Sequence, residues 1–107
     1  VGDVLRFSGP ILTNVSAAGT SKEVVVNGGS NGKIMIVGAA GVTAGAVTIE
    51  EAPVSGYAGT WAAIGTALTV IANGVVSVAL TGPWKVVRAR ISTAVVGGTI
   101  TVYAYFT

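Results

Sequence analysis

The chain is predicted to fold as all-β: an antiparallel β-sandwich, jelly-roll-like, of about eight strands. Three observations carry this. Short runs of β-branched and aromatic residues recur along the whole length, punctuated by Gly, Asn, Ser and Pro at the spacing sandwiches use. No segment keeps a 3.6-residue apolar period with caps at its ends. The stretch from Trp84 to Phe106 sorts into two faces by strict alternation.

The elements follow in order. Val4 to Phe7 and Ile11 to Val15 are short runs separated by Ser8-Gly9-Pro10. Lys22 to Val26 and Lys33 to Val37 flank Asn27-Gly28-Gly29-Ser30-Asn31-Gly32, which reads as a long hairpin connection. Gly38 to Gly45 is small and flexible. Ala46 to Glu51 alternates, with Val47 and Ile49 on one face and Thr48 and Glu50 on the other. Pro53 ends it, because proline cannot donate to a ladder. Ser55 to Gly59 is a loop, and Thr60 to Ile64 is a strand carrying Trp61. Ala67 to Ala72 and Val75 to Leu80 surround Asn73-Gly74, a strong hairpin signal. That hairpin sets Ile71 opposite Val76 and Thr69 opposite Val78.

Thr81-Gly82-Pro83 then turns the chain into a C-terminal hairpin, Trp84 to Val96 and Thr99 to Phe106, joined by Gly97-Gly98. In a two-residue hairpin Val95 faces Ile100, Thr93 faces Val102, Ile91 faces Ala104 and Ala89 faces Phe106. The other face sets Thr99, Thr101, Tyr103 and Tyr105 against Val96, Ala94, Ser92 and Arg90, with Arg88 beside them. This register predicts an Arg/Tyr surface, with Arg90 directly across from Tyr105.

A chain of 107 residues is one domain. Residues 1–15 read as an N-terminal arm, poorly patterned, that crosses to a neighbour or docks on a larger body; residues 16–107 form the sandwich. The chain is 51% hydrophobic and 9% charged, against about 25% charged for an ordinary soluble domain. So few charges suggest a surface covered in part by identical copies or by a partner. Six basic and four acidic residues give a net charge of +2, a surplus too small for a clustered nucleic-acid patch. No apolar run approaches the ~18 residues of a membrane helix, and no signal-peptide pattern is visible.

Chemistry is hard to build from these residues. The chain has no His and no Cys, which removes the commonest general base, thiol nucleophiles and the usual zinc ligands. No metal site and no cofactor are expected, and no catalytic residue is assigned. Glu50-Glu51 is the only acidic pair. A glycosidase dyad needs both carboxyls in one cleft, and neighbours on a strand face opposite ways. The expectation is a Glu51 at the strand end, solvated or paired with Lys or Arg. Gly28-Gly29-Ser30-Asn31-Gly32-Lys33 lacks the following helix that a phosphate loop requires.

Two surfaces remain as candidates. Arg88, Arg90, Tyr103 and Tyr105 are residue types typical of interface hot spots, and basic residues interleaved with aromatics also suit single-stranded nucleic acid. Tyr57, Trp61 and Trp84, placed in loops, are candidates for stacking on a glycan.

The runs Val47-Thr-Ile-Glu-Glu-Ala-Pro53, Tyr57-Ala-Gly-Thr-Trp61, Asn73-Gly-Val-Val-Ser-Val78, Gly82-Pro-Trp84, Val87-Arg-Ala-Arg-Ile-Ser-Thr93 and Gly97-Gly-Thr-Ile-Thr-Val-Tyr103 resemble small β-rich structural proteins of tailed bacteriophages, of the head-decoration or fibre type. The resemblance spans residues 22–107. It implies a non-enzymatic virion component, assembled in the host cytoplasm, that associates with identical copies, often as trimers, and attaches to a capsid or tail protein. It supplies no catalytic motif. A carbohydrate-binding module for host attachment and a single-stranded nucleic-acid-binding β protein are the alternatives.

Overall fold

The computed structural model describes residues 7–106, with side chains at all of these except 7, 27–30 and 82. Seven strands follow one another: β1 (Phe7–Val15), β2 (Gly19–Thr20), β3 (Val24–Gly38), β4 (Ala44–Ala52), β5 (Ala62–Thr69), β6 (Gly74–Val96) and β7 (Ile100–Phe106). All pairings are antiparallel, in the order β1-β7-β3-β6-β4-β5, with β2 beside β6. The expected antiparallel sandwich is what forms.

The two layers arise because β3 and β6 are long enough to serve both. Gly74 to Leu80 pair with Gly38 to Gly32, while Val86 onward pairs with β4 on one side and with β2 and the start of β3 on the other. Between these stretches the β3–β6 register slips on both sides of Gly29, opposite the Gly82-Pro83 region. Pro83 has no N–H for the ladder, and bulged pairs bend and twist. The paired strands turn there from one layer into the other, as strands do at the corners of packed sheets. Counted once per layer, β3 and β6 bring the seven strands to nine segments.

The first layer holds β1, β7, the C-terminal part of β3 and the N-terminal part of β6. The second holds β2 with the start of β3, the C-terminal part of β6, then β4 and β5. Ile34, Ile36, Val102 and Ala104 of the first layer share one core with Val47, Ile49, Val87 and Ala89 of the second, each 1% exposed or less. β4 stops at Ala52, directly before Pro53.

The C-terminal hairpin is corrected. The alternation holds: Ala89, Ile91, Val95, Ile100, Val102, Ala104 and Phe106 are all buried, and only Thr93 of that face is exposed. The pairing does not. β7 lies between β1 and β3, and the matching part of β6 lies beside β4 in the other layer. Two apolar faces that would lie side by side in one sheet meet instead across the sandwich. Gly97 makes the arch possible. Its φ is +88°, and a side chain there would run into the Gly41 carbonyl oxygen. The link after β6 therefore packs on the link between β3 and β4, with Ala39 N–H donating to Thr99 O (3.0 Å) and Thr43 N–H to Val96 O (2.8 Å).

The other two hairpins are also corrected, each differently. Asn73 has φ +51°, but β5 pairs with β4 and Gly74 to Leu80 pair with β3, so this turn also crosses between layers. The Asn73 amide donates to Ala39 O at 3.1 Å, at the same end of the sandwich. Residues 27–32 do not form a loop; they run inside β3. Gly32 is needed there because the Phe106 ring fills the space a side chain would take.

The N-terminal arm is corrected from Phe7 onward. Residues 7–15 are β1, an edge strand laid along β7 of the same chain. The expected run from Val4 lies, up to residue 6, outside the described residues, as do Asp3 and Arg6.

Candidate functional site

The predicted Arg/Tyr surface does not exist as one surface. Tyr103 pairs with Met35 and Pro10, and Tyr105 with Lys33 and Ser8, so both point outward from the first layer. Their rings stack on each other, centroids 6.4 Å apart and 8° from parallel. Arg88 and Arg90 pair with Glu50 and Thr48 on the outer face of the second layer. The arginines and tyrosines lie on opposite sides of the molecule, and the Arg90–Tyr105 pair is overturned. The cause is the arch at Gly97, which carries β7 away from β6.

The arginines meet Glu50 instead. Glu50 is only 5% exposed, although it sits on the outer face of its sheet. Arg88 donates from Nε to Glu50 Oε1 at 2.9 Å, and Arg90 from Nε to Oε2 at 2.8 Å. Arg88 also places Nη2 2.9 Å from Oε1. Both carboxylate oxygens are therefore engaged by charged donors, the strongest ordinary class of hydrogen bond. Next to them the Thr48 hydroxyl donates to Ser92 Oγ at 3.1 Å, continuing a polar row across β4 and β6.

A loop closes this row from above. Residues 53–61 leave β4 at Pro53 and fold back so that Trp61 packs with Ala52 and Val86. The Arg88 guanidinium carbon lies 4.0 Å from the Trp61 ring centroid, a cation–π contact. Trp61 Nε1 donates to Tyr57 O at 3.1 Å. At the far side of the loop, Glu23 Oε1 accepts from the Gly56 amide and the Ser55 hydroxyl, each at 2.8 Å. The Gly56 amide first, then the Ser55 hydroxyl, hold the Glu23 carboxyl below its ordinary range; desolvation opposes this and Arg88 adds to it.

The acidic pair is thus reassigned. Glu50, not Glu51, carries the arginine pairing, and Glu51 lies in the row of the opposite face, beside Val87. The sequence held a signal for this. Arg88 and Arg90 are two apart on one strand, so they share a face, and Glu50 is the acidic residue on the polar face of the alternating run before Pro53. Glu23 carried no such signal; its partners come from residues 55 and 56, reached only through the fold.

The glycan trio is also rearranged. Trp61 is 7% exposed with Arg88 on its ring, and Trp84 lies within β6 opposite Gly29, not in a loop. Of the three, Tyr57 is the exposed one. No flat aromatic platform is presented by these residues. Among the described residues no group of three or more acidic side chains is placed to hold a metal ion, and no helix is long and apolar enough to cross a membrane.

No protein-family model matches the chain, and no curated protein matches it.

Proposed function

We propose that the protein is a non-enzymatic virion structural component, a capsid decoration or fibre protein that self-assembles on the particle surface and contacts a capsid or tail protein. The observation that carries this reading is how Glu50 is used. The one buried carboxylate among the described residues has both oxygens bound by arginines under an indole lid. Such a group braces a sheet against its covering loop, with both oxygens already engaged by arginines. The sparse charge supports the same reading, since closely packed copies repel each other less when each carries few charges. The likeness to phage structural proteins implies trimers, and a two-fold contact between copies joins such trimers in pairs, giving an even number of chains.

The alternatives draw less support. Glycan stacking loses the exposed faces of Trp61 and Trp84. Single-strand binding loses the joint Arg/Tyr surface. The test is composition of purified particles by mass spectrometry. The expected result is the chain in many copies per particle, removed only by treatments that strip surface proteins. Its absence from particles that are otherwise intact contradicts the proposal.

A further inference from the structure

The sandwich has four lateral edges, and they are not alike. β1 is broken by two register shifts and carries Pro10. β5 carries Gly65 at φ +72°, opposite a register shift in its pairing with β4. The outer side of the second layer at β6 is lined by β2 and the start of β3. Bulges and prolines are the ordinary means of blunting an edge. The fourth edge is the N-terminal part of β6.

From Gly74 to Leu80, β6 pairs with β3 through seven consecutive matched positions and no bulge. Among the described residues no other strand lies along its second side. The segment reads Gly-Val-Val-Ser-Val-Ala-Leu, with no charge and no proline. It is rich in β-formers and uncharged, the composition that pairs most readily with another strand. The core is also open here. Val76 and Val78 face inward yet are only partly buried, whereas Ile36 and Ile34, their register partners on β3, are fully buried.

We propose that this edge pairs antiparallel with the same edge of a second copy, about a two-fold axis through Ser77. This rests on the self-assembly reading above and names its surface. With Ser77 opposite its mate, Val76 of one copy faces Val78 of the other, Val75 faces Ala79, and Gly74 faces Leu80. Val75 and Leu80 meet the small Ala79 and Gly74, and the partly buried Val76 and Val78 cover each other. The interface is self-complementary, as a two-fold contact requires. It also brings no like charges together. The nearest charge in these rows is Lys33, opposite Ala79 on β3. In the pair the two Lys33 side chains are three strand spacings apart and offset by four residues, roughly 20 Å by strand geometry and well beyond the ~8 Å screening length at physiological salt. The first layers of two copies thereby join into one continuous sheet.

The test is the native mass of the full chain by light scattering, for wild type, Ser77→Lys, Ser77→Glu and an equimolar mixture of the two variants. Ser77 is exposed, so each variant should keep the wild-type far-UV circular dichroism. The expected result is a wild-type mass at an even multiple of the 10.5 kDa chain. Each single variant should halve that mass, because like charges face each other across the axis. The mixture should restore it, because a lysine then faces a glutamate. A wild-type oligomer whose mass neither variant changes overturns the edge pairing and leaves self-assembly standing through another surface. A wild-type trimer also overturns the two-fold pairing alone. A wild type that is monomeric at every concentration overturns both.

Discussion

Replacing Glu50 by Gln keeps the shape of the side chain and removes its charge. Arg88 then loses its counter-ion while its side chain remains only 20% exposed. Truncating one partner of a fully buried pair costs about 3–5 kcal/mol. Arg88 is not fully buried, which brings its share to about 2–3 kcal/mol. Arg90 is 42% exposed, so solvent screening limits its share to about 0.5 kcal/mol. The sum is about 3 kcal/mol, a fall in Tm of roughly 12–24 °C for a domain of this size. Urea and thermal unfolding at one fixed protomer concentration measure it, since assembly shifts apparent stability. Double-mutant cycles then apportion it. The Glu50–Arg88 coupling should exceed the Glu50–Arg90 coupling several-fold. A Glu50→Gln variant within about 0.5 kcal/mol of wild type, or an equal coupling to both arginines, refutes the argument that burial under Trp61 sets the strength of this pair.

Three further outcomes are expected. Glu23 has its carboxyl pKa depressed in the fold, so its contribution is complete above the ordinary carboxylate pKa of about 4.3 and is lost as pH falls through the lower folded value; the Tm gap between wild type and Glu23→Gln should be open at pH 7 and narrow progressively as the pH is lowered below the ordinary value, and a gap that does not change with acidification contradicts it. Gly97→Ala forces a side chain into left-handed backbone against the Gly41 carbonyl and should cost at least about 1–2 kcal/mol, read by urea midpoint; a neutral result means the arch has another support. Ile36→Ala, at a site 0% exposed, should cost about 2–5 kcal/mol, while Ile71→Ala, at a site 47% exposed, should stay within about 0.5 kcal/mol; similar costs at the two sites contradict the assigned core.

Face and partner were legible in the sequence to different degrees. Alternation placed Ala89, Ile91, Val95, Ile100, Val102 and Ala104 correctly in the core, because period-two patterning reports which side of a strand is dry. It is silent on what covers the dry side. Gly97-Gly98 and Asn73-Gly74 mark reversals correctly as well. A reversal within one sheet and an arch between two sheets use the same residues, and the Gly97–Gly41 approach that decides for the arch lies 56 positions apart in the chain. The run 27–32 misled for a related reason. Its glycines and asparagines resemble a turn, but here the strand runs through them with a register slip on each side of Gly29, and Gly32 makes room for Phe106. The site was half visible. The pair Arg88 and Arg90 was found by its spacing, whereas its true partner Glu50 required the β4–β6 register, and the Trp61 lid required the course of the 53–61 loop.

The most direct test of the proposed self-assembly is the native mass of the unmodified chain, followed by light scattering after size exclusion across a hundredfold dilution. A self-assembling chain gives a small whole-number multiple of 10.5 kDa that persists on dilution. A mass of 10.5 kDa at every concentration contradicts it.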